Sequence, residues 1–504
     1  MTQPPVTAGE LAAAAQADFS GDGLALVTDV VYDSRQVSKG ALFAALRGAD
    51  LDGHTYVASA VERGASALLV EQPFEIDIPQ LVVPNSRQAL AGVAAAFFRH
   101  PSREVGVIGV TGTDGKTTTS FILDHVLRTA GAVTGLIGTV AVRIGHTEDL
   151  HAARQTTPES SDVQRYLRQM VDAGVDWATL EATSHGLAMF RLDHVEFRVG
   201  AVTNITHEHL DYHGTVENYR RAKAMLLERV AARGGLVVSN ADDAGARAIE
   251  GYAGGATLLR YSLDDRPADV RADNLILAGD GSYFTLATRE FGIAGVRFPL
   301  IGAFNVANAL CAAATALGLG VPLATVVQGL ESAPPVPGRM ARVDAGQPFS
   351  VIVDYAHTPD SLEKILRLLR SLHPGGRLIA VFGSAGERDR EKRPIQGSVA
   401  ARLADVVIIT TEDPRFEDAD TIIEEIVAGA RESGQIDETD LHMRIERQDA
   451  VDLAISLAEP GDCVLLAGKG HEGSIIWGRE KRPWNEAEAA RRALRQRGFG
   501  GDAD

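Results

Sequence analysis

A lysine that follows a glycine turn at the end of an apolar run is a natural place to look for phosphate chemistry. In this chain Val105-Gly106-Val107-Ile108-Gly109-Val110 leads into Thr111-Gly112-Thr113-Asp114-Gly115-Lys116-Thr117-Thr118, and an amphipathic helical pattern follows that is closed by Gly131. Each part meets a separate need. Glycines let backbone N–H groups turn inward around phosphate, and the helix N-terminus adds positive potential. Lys116 can neutralise β- and γ-oxygens, and a threonine hydroxyl can ligate Mg2+. The strict phosphate-loop pattern asks for glycine at position 110, where this chain has Val110, so the spacing departs while the strand, loop and helix order holds. The competing reading is a glycine turn that carries a surface lysine.

Downstream, Trp177-Ala178-Thr179-Leu180-Glu181 predicts a strand ending on a carboxylate well placed for a cation, followed by Ala182-Thr183-Ser184-His185-Gly186. A further strand, Val199 to Val202, ends in Thr203-Asn204-Ile205-Thr206-His207-Glu208-His209-Leu210-Asp211-Tyr212-His213-Gly214, a segment dense in metal-ligating groups. Strand ends in open α/β sheets are where ligands bind. The cysteine or paired helical-histidine spacing of zinc sites is missing, and carboxylate, hydroxyl and phosphate oxygens suit Mg2+ better. For any one of these histidines, a surface or hydrogen-bonding role competes evenly with ligation. Lys223 falls on a predicted helix just after the cluster and, taken alone, is a solvated helix lysine.

The elements that must position these groups are legible as short, β-branched runs: Val105 to Val110, Ala201 to Val202, Val351 to Val353, Leu378 to Phe382, Val406 to Thr410 and Val464 to Ala467. Most are followed by Gly, Asp or Thr and then by a helical period, the alternation expected of parallel strands and crossover helices, so the fold class is α/β. The 504 residues, 45% hydrophobic and 6% aromatic, are too many for one core and suit three domains. Seams at His100-Pro101-Ser102-Arg103 and at Ser332-Ala333-Pro334-Pro335-Val336-Pro337-Gly338 place the boundaries, giving domains 1–103, 104–335 and 336–504. The second seam stiffens the chain without making a helix or strand, and the tail from Arg497 to Asp504 is expected to fray.

Lys and Arg total 49 against 67 for Asp and Glu, a formal charge of -18 that repels nucleic acid and anionic membranes. An anionic substrate must therefore be met by a few placed Arg, Lys, Mg2+ or backbone N–H groups, which points to a defined small-molecule pocket. Cys311 and Cys463 are far apart in apolar stretches and are expected to be buried thiols. Without a basic region and apolar run at Met1 to Gln16, and with no apolar stretch of the about 18 residues that span a bilayer, a cytoplasmic location is expected; a monomer is expected as well.

In order, Gly112 to Thr118, Glu181, Asn204 through Asp211-Tyr212-His213-Gly214 to Lys223, Gly302-Ala303-Phe304-Asn305-Val306-Ala307-Asn308, Gly338-Arg339 and Asp354-Tyr355-Ala356-His357-Thr358-Pro359 resemble the Mur ligase family over nearly the whole chain. The resemblance implies a UDP-binding N-terminal α/β domain, a central phosphate-loop ATPase with a mostly parallel sheet, and a Rossmann-like C-terminal domain that brings the amino acid. It implies an ATP-dependent, amide-forming ligase in which Lys116 acts with Glu181, His209 and Lys223. Thr117, Glu181 and His209 would serve Mg2+, and a carbamylated Lys223 would carry a second metal. Gly112, Thr113, Asp114, Gly115 and Thr118 would line the ATP, with Asn305, Asn308, Arg339 and Asp354 completing the nucleotide site. Asp114 stands where the family more often has Asn.

Within the family the chain is most similar to the branch that adds the third, diamino residue to UDP-N-acetylmuramoyl-dipeptide. Tyr32-Asp33-Ser34-Arg35 and the stretch Ala49, Asp50 and Leu51 resemble its UDP-muramoyl segments, although taken alone both are surface turns. Gln155, Thr156, Thr157, Thr183, Met189 and Arg191 match where that branch holds the muramoyl-dipeptide, with Thr183 for the usual Ser and Met189 for a common Gln. Gly383-Ser384-Ala385-Gly386-Glu387-Arg388-Asp389, Glu412-Asp413-Pro414-Arg415 and Gly468-Lys469-Gly470-His471-Glu472 resemble the amino-acid pocket. There Arg388 and Arg415 suit carboxylates, while the Gly468 carbonyl and Glu472 suit an ammonium. Diaminopimelate-adding relatives usually carry Asp-Asn-Pro-Arg, so the carboxylate at Asp413 tilts the expectation to lysine or ornithine while Arg415 pulls the other way. A folylpolyglutamate-type ligase shares the loop, the His-Leu-Asp region and the lysine but lacks the Asp-Ser-Arg segment and the Gly-Lys-Gly-His-Glu ending. A regulatory phosphate-loop NTPase leaves Arg388, Arg415 and Glu472 without a task.

Overall fold

The structure is a computed structural model that describes residues 6–48, 51–150, 155–206, 208–264 and 266–500. The chain divides into two compact units, residues 1–275, 283–298 and 303–333 in one and 276–282, 299–302 and 334–504 in the other. The Mur-like N-terminal and central parts thus share a unit.

At the N-terminal end of the first unit, five short strands pair in the order Asp18–Ser20, Gln80–Val82, Ala67–Val70, Ala41–Ala44, Asp29–Val31, all parallel but the first. Leu42, Leu69 and Leu81 point into a core closed by the helix Ser86–Phe97. That helix starts where the Asn85 side chain accepts from Gln88 N, a cap worth about 1 kcal/mol. It packs against a helix of the central part, Ser160–Asp172.

The central sheet has eleven strands. Its parallel middle runs Thr134–Ile137, Trp177–Glu181, Gly106–Thr111, Val199–Val202, Leu236–Asn240, Thr257–Ser262. The chain leaves Gly106–Thr111 toward one side of the sheet and later returns to its other side at Val199–Val202. The phosphate-loop strand therefore lies at a topological switch point, where a crevice opens beyond the carboxyl ends. Register finishes the placement, since Glu181 pairs with Val110 and Val202 with Thr111, so all three strand ends open at one level. Helix Lys116–Thr129 follows the loop, and helix Val216–Ala231 carries Lys223 after a Thr215 cap.

The second unit is built on a six-stranded sheet in the order Ala341–Arg342, Ser350–Asp354, Cys463–Ala467, Leu378–Phe382, Val406–Thr410, Leu441–Arg444, parallel apart from the first strand. Apolar clusters cover both faces, so these strands are continuously hydrophobic. The last long strand is threaded between the first two, and four carboxyl ends, Asp354, Phe382, Thr410 and Ala467, share one edge. From Ala333 to Val336 the second seam is irregular, while the first folds into a short 3-10 turn, Pro101–Arg103.

The expected fraying from Arg497 does not hold as far as residue 500. Arg497 lies over the Phe349 ring at 5.2 Å, and Phe499 meets Phe349 edge-on at 5.8 Å, so an aromatic contact ties down what composition alone left loose. Residues 501–504 lie outside the described residues. Among the described residues no helix is long and apolar enough to cross a membrane.

Candidate active site

The phosphate loop is held from behind by the end of the neighbouring strand. Thr113 N donates to Asn204 O at 2.7 Å, Asp114 N to Asn204 Oδ1 at 2.9 Å, and Thr203 Oγ1 to Asp114 O at 2.6 Å. Gly112 has φ 156°, and a Cβ there would stand 1.8 Å from Thr203 Oγ1, so no other residue fits. Gly115 caps the helix in the left-handed region, φ 81°, where a Cβ would lie 2.2 Å from Asn308 Oδ1. Asn308 also accepts from Thr119 Oγ1 at 3.3 Å, so it does reach the loop. Asn305 is buried one turn earlier on the same helix, Ala303–Gly318. Asp114 is thus engaged through its backbone while its side chain is exposed.

Two lysines converge on one carbonyl. Lys116 Nζ donates to Gly112 O at 2.9 Å and Thr113 O at 2.7 Å, and Lys223 Nζ donates to Gly112 O at 2.7 Å. Lys223 is 1% exposed, with its nitrogen 4.6 Å from the centre of the Tyr219 ring, so it is not the solvated lysine that local sequence suggests. Burial pulls its pKa well below the ordinary value, and the nearby Lys116 charge pushes the same way. The Tyr219 hydroxyl in turn meets Thr113 Oγ1 at 3.0 Å.

Thr117 and Glu181 meet at the mouth of the loop, Oγ1 to Oε2 at 2.9 Å, both buried. Thr118 is buried beside them. His209, in the left-handed region at φ 54°, stacks edge-on to His185 at 4.6 Å, and His185 also touches Tyr212 and His213. His207 lies outside the described residues.

The expected muramoyl-dipeptide residues gather between the N-terminal and central parts of the same unit. Thr157 Oγ1 donates to Glu181 O at 2.7 Å and touches Thr183 Oγ1 at 2.9 Å, and Thr183 caps the helix Ser184–Ala188. Arg191 donates to Thr157 O at 3.2 Å and lies 3.1 Å from Glu159, which also binds Arg87 of the N-terminal part at 2.5 Å. Burial lowers the Arg191 pKa against the opposing pull of Glu159. Arg191 thus has a carboxylate partner, Glu159, within the chain. Tyr32 donates to Asp162 at 3.1 Å, Ser34 opens a 3-10 turn, Met189 is half-buried, and Gln155 and Leu51 are exposed. Ala49 and Asp50 lie outside the described residues.

In the second unit the motif residues project from the shared carboxyl edge. Asp354 Oδ2 accepts from Met340 N at 2.7 Å, next to Arg339, whose guanidinium lies over the Tyr355 ring at 4.6 Å. Burial raises the Asp354 pKa, with Arg339 and backbone donors opposing it. Lys469 is fully buried and donates to Asp413 Oδ1 at 2.9 Å and to Glu472. Burial works against the Lys469 charge, but Glu472 and Asp413 outweigh it and hold its pKa above the usual range. Asp413 also accepts from Ile476 N at 2.9 Å, so its charge is not free to repel a substrate carboxylate as local sequence implied. Glu412, raised by burial, has an Oε2 with no hydrogen-bond partner among the described residues, 3.1 Å from where a Cβ on Gly468 would stand. Pro414 is buried, Arg415 is held at φ 55° by the strand Ser474–Trp477, and Arg388 is exposed.

The chain is similar to known proteins over most of its length. The chain matches three family models: "Mur ligase family, catalytic domain" over residues 26–104, "Mur ligase middle domain" over 110–316 and "Mur ligase, glutamate ligase domain" over 338–470. It is 49% identical over 491 residues to a UDP-N-acetylmuramyl-tripeptide synthetase of Roseiflexus sp. (strain RS-1), covering 94% of this chain and 96% of that one. The chain belongs to the Mur ligase family. A Bacillus licheniformis relative named UDP-N-acetylmuramoyl-L-alanyl-D-glutamate--2,6-diaminopimelate ligase is 41% identical over 473 residues, covering 93% of this chain and 94% of its own. A solved structure of a ligase with that name superposes with a TM-score of 0.66 at 29% identity, covering 98% and 99% of the two chains. This Mur ligase is accordingly an ATP-dependent, amide-forming enzyme acting on small molecules.

Sequence reasoning missed Thr139, Arg87 with Glu159, Tyr219, and Lys469 as the counter-charge to Asp413. Lys469 was visible inside its motif. The others carry no local signal, because their contacts span 42 to 106 residues of chain.

Proposed function

We propose that this Mur ligase joins a diamino acid to UDP-N-acetylmuramoyl-L-alanyl-D-glutamate at the expense of ATP, in the making of peptidoglycan precursors. The observation that carries the reading is the pairing of a phosphate loop with Thr117 and Glu181 at the switch point of the central sheet. A carboxylate is a poor acylating agent at neutral pH. The acceptor carboxylate oxygen attacks the γ-phosphorus and ADP leaves, giving an acyl phosphate. The amine then attacks the acyl carbon, phosphate leaves, and the amide forms with loss of a proton. Lys116 and the loop N–H groups offset charge on the donor oxygens, and positioning supplies much of the rest.

Buried oxygen donors at Thr117 and Glu181 fit Mg2+, with His209 completing the set by resemblance. When bound, Mg2+ offsets the negative charge on the β- and γ-phosphoryl oxygens. Lys223 is the residue for carbamylation, because burial disfavours its charged form and a neutral amine is what attacks CO2, losing a proton to leave an anionic carbamate. Asn305, Asn308, Arg339 and Asp354 serve the nucleotide, Tyr32, Ser34, Thr156, Thr157, Thr183 and Arg191 the UDP-muramoyl-dipeptide, and Arg415, Glu412, Asp413 and Glu472 the amino acid. The domains are 1–103, 104–335 and 336–504, and the protein works as a cytoplasmic monomer.

Lysine or ornithine remains ahead of diaminopimelate as the third residue, on different grounds from a bare charge at Asp413. Burial pushes the Glu412 and Glu472 carboxyls up, and the charge of Asp413 beside them acts the same way, while Lys469 opposes it at both and Lys392 and Arg447 oppose it at Glu412. Three carboxylates on neighbouring motifs suit an ammonium end, while Arg415 and the name of the Bacillus licheniformis relative weigh the other way. Phosphate release is measured with UDP-muramoyl-dipeptide and each of lysine, ornithine and diaminopimelate, singly and together. The reading requires release only when both substrates are present; release with neither points to a regulator, and faster turnover of diaminopimelate overturns the preference.

A further inference from the structure

Thr139, on no motif, lies at the centre of a hydroxyl network around Glu181. The register that sets Ile137 beside Leu180 brings the turn after strand Thr134–Ile137 against the end of strand Trp177–Glu181. There Thr139 N donates to Glu181 Oε1 at 3.0 Å, and Thr139 Oγ1 lies 2.9 Å from Glu181 Oε2 and 3.0 Å from Thr156 Oγ1. Glu181 Oε2 also accepts from Thr117 Oγ1 at 2.9 Å. The approach leaves no slack, since a Cβ on Gly138 would be 2.2 Å from Glu181 Oε1.

A threonine hydroxyl has one proton, and an ionised carboxylate can only accept. Thr139 Oγ1 is placed to donate either to Glu181 Oε2 or to Thr156 Oγ1, and its one proton serves one of them at a time. Thr139 is thus the shared donor between Thr156, on the segment matched to the muramoyl-dipeptide, and the carboxylate beside the phosphate loop. Thr139 grips both oxygens of Glu181, which removes the rotational freedom of a carboxylate otherwise able to turn away from Thr117.

We propose that Thr139 is a positioning residue that fixes the Glu181 carboxylate for a divalent cation bound with the nucleotide, and that Thr156 links that orientation to the acceptor segment. This rests on the reading that Thr117 and Glu181 hold the cation. Val in place of Thr139 keeps the branched shape and the backbone N–H but removes the hydroxyl, while Ser keeps the hydroxyl.

The test is binding of Mn2+, as a paramagnetic stand-in for Mg2+, to the full chain with ADP present, read by electron paramagnetic resonance of the free ion. Thr139→Val is expected to weaken Mn2+ binding about tenfold, the loss of one charge-assisted hydrogen bond, with Thr139→Ser close to the parent and Thr156→Val, which removes the competing acceptor, no weaker than the parent. In turnover, Thr139→Val raises the Mg2+ concentration needed for half-maximal rate while leaving the KM of the diamino acid in place. Equal Mn2+ affinity in parent and Thr139→Val overturns the proposal, as does a Thr139→Ser variant as weak as Thr139→Val, which would make the threonine methyl the important group. A parent chain that takes up no Mn2+ with ADP removes the underlying cation reading, and the proposal with it.

Discussion

Lys223 shows what position does to one side chain. On its helix it has the sequence of a surface lysine, yet it is buried against Tyr219 and donates to Gly112 O. Its folded pKa lies well below 10.5, so over the range between the two values the unfolded chain holds a proton that the folded chain does not. Stability therefore rises with pH across that window, and the cost of burial is largest below the folded value. In CO2-free buffer, Lys223→Met, uncharged and of similar size, should flatten that rise, as measured by urea unfolding at several pH values between 7 and 10. A slope identical to the parent's would refute the placement. Glu181 was legible as a carboxylate at a strand end, but not that Thr139 would hold it, because that contact depends on which strand pairs beside it.

Among the elements of the second unit, Arg447 decides how two strand ends are held. It is fully buried with Glu486, Nη2 to Oε1 at 2.7 Å, and donates to Thr411 O at 3.0 Å and Ala467 O at 2.6 Å. Those carbonyls immediately precede Glu412-Asp413 and Gly468-Lys469, so one guanidinium links helices Arg447–Leu457 and Glu486–Gln496 to both halves of the amino-acid pocket. Arg447→Met should cost about 3–5 kcal/mol by stranding a buried carboxylate, and should raise the KM of the diamino acid. Adding Glu486→Leu should recover most of the stability but not the KM. Recovery of both in the double variant would mean that the pair only fills space. The strands themselves were readable to within one or two residues, since buried parallel strands are continuous apolar runs, whereas the partner of a lone Arg is not encoded locally.

At the scale of the molecule, the two cysteines report on the two units separately. Cys311 lies in the first and Cys463 in the second, both buried as free thiols, and burial pushes each pKa up to about 12. At pH 8 the thiolate fraction is then about one in ten thousand, so a disulfide-exchange reagent should label neither in the native chain and both in denaturant. Prompt labelling of the native chain would contradict either burial. The α/β class, the alternation of strands and helices, and the phosphate loop are legible in local sequence, because hydrophobic period and glycine turns act over a few residues. The Mur-like motifs included Lys116, Thr117, Glu181 and Lys223, which the structure brings to one loop, but not Thr139 beside them. Packing sets which charges are held: Asp413 is paired with Lys469, Arg191 with Glu159, and Lys223 is stripped of water. Charge state depends on desolvation and on partners tens of residues away, and both are set by strand register and packing, not by neighbours in sequence.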